Sequence, residues 1–124
     1  MSEDQTRSMV VKATHALDDP ERGHIACNVA AVAVSSGIEV NLFLAVEGVH
    51  LARPEIAEQL ELADAPPVGD LLDLLYDQAT VTVCTPCATR RGLTEADFRT
   101  GTKMAGSAQF VALATEPGAQ ALVY

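Results

Sequence analysis

Thr80-Val81-Thr82-Val83-Cys84-Thr85-Pro86-Cys87-Ala88-Thr89-Arg90-Arg91-Gly92-Leu93 joins a β-branched run to a helix start through a thiol. Thr80 to Val83 predicts a short buried strand, because β-branched side chains suit a covered, pleated surface. Thr85 followed by Pro86 predicts a helix N-cap and first helical position, since proline lacks the N–H that would be orphaned there. Cys84 and Cys87 then flank a helix N-terminus. Unpaired N–H groups and the positive end of the dipole favour thiolate over thiol at such a place, and Arg90 and Arg91 add positive charge.

Strand and helix patterns alternate on either side of this stretch. Met9 to Thr14 predicts a first strand, and the acidic loop to Pro20 leads to a helix over Glu21 to Ser36 whose inward face is Ile25, Val29 and Val32. Gly37 closes that helix where a left-handed residue is wanted. Glu39 to Val46 predicts a second strand, rich in Val, Leu and Phe as a strand covered on both faces should be. Ile56 to Leu62 predicts a loose helix broken by Pro66-Pro67, and Val68 to Tyr76 a further helix with Leu71, Leu72 and Leu75 inward. After the cysteine strand, Lys103 to Ala105 predicts a fourth strand, Ser107 caps a helix through Ala114, and Gln120 to Tyr124 is the last strand. Such alternation implies an α/β protein, a mainly parallel five-stranded sheet with helices on both faces. Ligands in these folds bind beyond the carboxyl ends of the strands. The loops at 14–20, 46–50 and 84–87 all leave that edge, with Cys84 expected at the floor of the crevice they form.

Composition narrows the function. The chain has 124 residues, 48% of them apolar, enough for a core in one domain without disulfide staples. With no Trp, three Phe and two Tyr, packing must rely on Ala, Val and Leu. A formal net charge of -9 gives no basic footprint for nucleic acid or an anionic membrane, so neither is expected as a partner. Residues 1–8 are polar and are expected to be a disordered tail, leaving 9–124 as the domain. No apolar run approaches the roughly 20 residues that span a bilayer, and a cytoplasmic setting is expected. Three cysteines there read as reactive, metal-binding or buried rather than as a disulfide framework.

The thiol pair Cys84 and Cys87 is the leading catalytic candidate. A zinc site is the weaker reading, because four protein ligands are wanted and only isolated His15, His24 and His50 accompany the pair. Cys27 has no partner at a useful spacing and reads as a small buried hydrophobe. His15 and His50 stand on edge loops with Glu47 and Gly48, where they would bind ligand or tune the thiol. Asp18, Asp19 and Glu21 read as first-turn helix stabilisation. Thr85-Pro86 between two cysteines is also a thioredoxin-like pattern, but only about 40 residues follow Cys84, too few for that fold's remainder. A nucleotide-binding flavodoxin-like protein is a further alternative, yet the first crossover is acidic and lacks G-x-G-x-x-G.

Asp18-Asp19-Pro20-Glu21-Arg22, Glu47-Gly48-Val49, and above all Cys84, Ala88, Arg90, Arg91, Gly92 and Leu93 resemble the DsrE/DsrF-like proteins, which include sulfur-relay subunits of the TusD type and YchN-like proteins. The resemblance covers nearly the whole chain, through Gly101 to Gly106 and on to Tyr124. It implies a flavodoxin-like sheet, no cofactor, assembly into trimers or hexamers, and a persulfide carried at the position of Cys84. Apolar residues such as Leu42 to Val46, Leu113 and Val123-Tyr124 are expected to lie outside the core and to serve that assembly. Partner proteins that donate and accept sulfur are also implied. Cys87 departs from the pattern, since relay subunits usually carry a small residue there. The reading is therefore a sulfurtransferase-type sulfur carrier in which Cys84 accepts sulfane sulfur and Cys87 is the resolving thiol. A non-catalytic oligomeric scaffold or small-ligand binder and a thiol-disulfide redox protein stand as alternatives, and turnover as an enzyme is left open.

Overall fold

In the computed structural model, which describes residues 7–124, five strands form one parallel sheet. They are β1 (Ser8–Ala13), β2 (Glu39–Leu44), β3 (Thr80–Cys84), β4 (Lys103–Ala105) and β5 (Ala119–Val123), in spatial order β4-β3-β2-β1-β5. This is the flavodoxin-like α/β architecture expected from the alternation of elements. The helices are α1 (Pro20–Ser35), α2 (Pro54–Ala57), α3 (Val68–Gln78), α4 (Thr85–Arg90) and α5 (Ser107–Ala114), with a 3-10 segment at Val46–Ala52. From β1 to β4 the chain steps across the sheet in one direction, and from β4 to β5 it returns past β1. Right-handed crossovers then place α1 and α3 on one face and α5 on the other. Phe110 of α5 meets Phe43 of β2 edge to face at 5.6 Å, which fixes the α5 face.

The core is built from the central strands and small helical residues. Val11, Leu42, Leu44 and Val83 are fully buried, as are Leu72 and Leu75 of α3. Helix α1 corrects the sequence expectation. Its buried residues are Gly23, His24, Ala26, Cys27, Ala30, Ala31 and Ala33, whereas Ile25 is 42% and Val32 57% exposed. The physical reason is proximity: small residues let α1 lie close to β1, β2 and α3, and the bulky residues are turned outward. Val29 is half-buried. Leu71 is likewise only half-buried, beside the fully buried Leu72 and Leu75.

Element ends moved for local reasons. Asp19 caps α1 by accepting from the Arg22 backbone N–H, and Gly37 is left-handed at φ 82°. β2 ends at Leu44: the Ala45 N–H still bonds the Ala13 carbonyl in ladder register, and the left-handed Val46 then starts the 3-10 segment. Leu42, Phe43, Leu44 and Ala45 are therefore core residues, not the exposed set expected for assembly, and only Val46 of that run is exposed. The loose helix expected over 56–62 is the single turn of α2. Gly106 rather than Ser107 occupies the N-cap of α5. The tail expected over 1–8 ends in ordered backbone: Arg7 accepts from the Glu39 N–H and Ser8 opens β1, while residues 1–6 lie outside the described residues.

Candidate functional site

The chain leaves β3 and β4 toward opposite faces. The segment after β3 runs along α3, where Arg99 pairs with Asp73 and covers the Tyr76 ring at 4.6 Å, and Tyr76 hydrogen-bonds Thr102 at 2.6 Å. The segment after β4 enters α5 on the other side. Open parallel sheets bind ligands at the strand ends where such a divergence occurs. Cys84 is the last residue of β3, in register with Ala105 of β4. The alternation of side chains puts Cys84 on the α5 face with Thr82, Phe43 and Lys12.

Cys84, not Thr85, is the N-cap of α4, and Pro86 is the second helical residue. Cys87 follows as the third, so both thiols lie at the strand-to-helix junction, buried but not sealed. With only six residues, α4 is a modest dipole, and side chains and one neighbouring loop decide the electrostatics. For Cys87, burial alone would raise the thiol, but the Cys84 thiol and the Val46 backbone N–H turned toward its sulfur, together with Arg90 and Arg91, outweigh burial and hold it below its ordinary value. Arg90 Nη1 lies 4.0 Å from Cys87 Sγ. For Cys84 the balance is reversed. Burial and the neighbouring Cys87 push its thiol up, and the Cys87 N–H and Lys12 oppose this only in part. The first proton lost from the pair therefore leaves Cys87.

The loop at 46–50 is held over the cysteines by three constraints. Val46 sits at φ 54°, a left-handed conformation that is a true outlier for a β-branched residue and costs roughly 1–3 kcal/mol. Glu47 accepts from Arg91 Nε at 2.6 Å, and Arg91 Nη1 reaches the Cys87 carbonyl at 3.0 Å. Gly48 is buried against the end of β1, where a Cβ would fall 2.0 Å from the Ala13 carbonyl oxygen. Only glycine permits that approach.

The predicted site residues separate into two groups. Cys84, Cys87, Glu47, Gly48, Arg90 and Arg91 come together. His50 joins them indirectly, 3.8 Å from Glu47 and 3.4 Å from Arg53 Nη1. His15 pairs with Asp18 at 2.8 Å. Among the described residues neither histidine makes a hydrogen bond or ion pair with a cysteine. Two contributors were missed. Lys12 had a signal, a cation inside an otherwise apolar strand, whereas Val46 had none, because valine is not a residue that announces a left-handed turn. Cys27 is fully buried, and burial pushes its thiol up to about 12. Among the described residues no three His, Cys, Asp or Glu side chains gather where they could hold a metal ion. A cavity of about 420 Å³ opens farther down the α5 face beside Asn41, Thr80, Thr82 and Lys103, and neither cysteine lines it.

A parallel five-stranded sheet with a cysteine at the divergence of two strand ends places the chain among small α/β proteins of flavodoxin-like fold. Residues 8–124 match the sequence profile of the DsrE/DsrF-like family, and the chain belongs to that family. Two similar proteins are the uncharacterized MJ0989 of Methanocaldococcus jannaschii, 36% identical over 100 residues (77% of this chain, 82% of that protein), and the uncharacterized MK0008 of Methanopyrus kandleri, 35% identical over 86 residues (68% of each). In fold the chain is similar to the crystal structure of YchN from E. coli, with TM-score 0.78 and 16% identity, covering 96% of this chain and all of that one. It is also similar to MTH1491 of Methanobacterium thermoautotrophicum, a protein of unknown function, with TM-score 0.70, 13% identity, and 97% and 100% coverage. Among the described residues no helix is long and apolar enough to cross a membrane.

Proposed function

We propose that this protein accepts and hands over sulfane sulfur on the Cys84–Cys87 pair, as a sulfurtransferase-type carrier in a sulfur relay. The observation that carries the reading is the pairing itself: two neighbouring thiols with unlike environments at the ligand edge of a sheet, with Arg90 and Arg91 beside them. An activated thiolate attacks a donor persulfide, and a second thiol within reach can discharge the product. Family membership supports the sulfur chemistry.

Residues 9–124 act as one domain in this reading, in a reducing cytoplasm where the pair stays as thiols until loaded. Assembly into a homotrimer or homohexamer belongs to the same reading. It is supported by apolar side chains left outside the core: Ile25 and Val32 on α1, Val111 on α5 and Val123 on β5. Protein partners would supply and remove the sulfur. Incubation with inorganic polysulfide followed by intact-mass measurement tests the reading. A gain of one or more sulfur atoms, reversed by a thiol reductant, is expected, and an unchanged mass would favour a scaffold.

A further inference from the structure

We propose that Cys87, rather than Cys84, receives the sulfur, and that Cys84 is the resolving partner that closes on it afterwards. This rests on the sulfur-handling reading above and reverses the order expected from the sequence. The geometry around the two sulfurs is unequal. Cys87 faces the strained Val46 N–H, has the Arg90 guanidinium at 4.0 Å, and has its own carbonyl bound by Arg91 at 3.0 Å. Cys84 ends a buried strand, where the Cys87 N–H and the Lys12 cation act on it and no arginine is hydrogen-bonded to its sulfur among the described residues.

The Val46 turn is built to stay where it is. Gly48 is seated on the Ala13 carbonyl, Ala45 donates to that same carbonyl at 3.0 Å, and Glu47 is tied to Arg91. A left-handed valine persists only where its surroundings over-determine it, and these contacts do so. The Val46 N–H, which helps to hold the Cys87 thiol low, is thereby kept in place. The same donor would stabilise charge on the persulfide once it forms.

The chemistry balances without a cofactor. The Cys87 thiolate attacks the outer sulfur of a donor R–S–SH, forming Cys87–S–SH as the donor's S–S bond breaks. The donor leaves as R–S⁻ with the electron pair and takes a proton from water. A partner's thiolate can then take the outer sulfur in the same way and restore the Cys87 thiolate. With no partner present, Cys84 loses its proton to water and attacks the Cys87 inner sulfur. The Cys84–Cys87 disulfide forms and HS⁻ leaves, so the sulfane sulfur is reduced by the two electrons that the dithiol loses. A dithiol reductant returns the pair.

Peptide mapping of iodoacetamide adducts on the full chain between pH 5 and 10 tests the assignment without any substitution. Cys87 is expected to label before Cys84 at pH 7. Arg90→Gln should move the Cys87 profile to higher pH, with any change in the Cys84 profile smaller and in the opposite direction. With polysulfide, Cys84→Ser should hold sulfur on Cys87, and Cys87→Ser should load more slowly than Cys84→Ser. Earlier labelling of Cys84, or loading of Cys87→Ser as fast as wild type, would overturn the assignment and leave the sulfur reading intact. Labelling of Cys87 first with no sulfur gained by wild type or either variant would overturn the sulfur reading, and the receiving role proposed for Cys87 would fall with it.

Discussion

Replacing Gly48 by alanine strikes at the loop that organises the cysteines without touching either thiol. The new Cβ would lie 2.0 Å from the Ala13 oxygen, 2.7 Å from its carbon and 3.2 Å from the Thr14 nitrogen, all backbone atoms of a strand end in the core. No rotamer relieves such a contact, so the loop must lift. Overpacking of this kind costs about 1–3 kcal/mol. Lifting the loop also strains the Ala45 N–H bond to the same Ala13 oxygen, a further loss of about 1 kcal/mol. Together the change should destabilise the fold by about 2–4 kcal/mol, read from urea denaturation midpoints at constant slope. Because Val46 moves with Gly48, Cys87 should also lose its N–H donor and alkylate more slowly near pH 7 in the folded protein. Gly69→Ala is the control: it lies in α3 with nothing within 4 Å of its Cβ position, and should stabilise by about 0.5–1 kcal/mol. A Gly48→Ala protein within about 0.5 kcal/mol of wild type, with Cys87 reactivity unchanged, would refute the close-approach reasoning, since only surface substitutions away from such features are that mild.

Cys27 carries a pH prediction. Its folded pKa is raised from 9.0 to about 12 by burial, so the unfolded chain gives up that proton first. Stability present below pH 9 is then lost as pH rises toward 12, at up to about 1.4 kcal/mol per pH unit, and Cys27→Ala should flatten the decline in denaturation midpoints. Asp18 works at the acid end. Burial opposes but hydrogen bonds from the Ala16 N–H and His15 outweigh it, lowering its pKa below 3.8, so its contribution is present above about pH 4 and fades as pH falls through the lowered value. Asp18→Asn should shift the acid limb of a stability–pH curve and leave the limb above pH 7 unchanged. Leu72→Ala in the fully buried face of α3 should cost about 2–5 kcal/mol by calorimetry or denaturant, whereas Val32→Ala on the exposed face of α1 should change monomer stability by less than about 0.5 kcal/mol.

What the sequence made legible follows from which residues have one physical use. Pro20, Gly37 and the β-branched run into Cys84 each fit one local geometry, and the α/β alternation and the cysteine edge were read from them. The inward face of α1 was misread because bulky apolar side chains are the usual guide to burial, and here the close approach of α1 to sheet and α3 reserves the interior for Gly23, Ala26, Cys27 and Ala30. The end of β2 was misplaced because nothing in Leu44-Ala45-Val46 signals the turn. Gly48, two residues on, enforces it through contact with β1, which is remote in sequence. The inequality of Cys84 and Cys87 was hidden for the same reason. Part of it comes from Val46, brought to Cys87 by tertiary structure rather than by spacing.

The central claim, that the pair handles sulfane sulfur, is tested most directly by a single-turnover mass experiment. Wild type is loaded briefly with polysulfide, stripped of excess reagent and followed by intact mass without any acceptor. The account predicts a species heavier by sulfur that decays to one lighter than the starting protein by the two thiol hydrogens, while sulfide appears in solution and Cys84→Ser remains sulfur-loaded. Wild type that never gains sulfur under these conditions would contradict it.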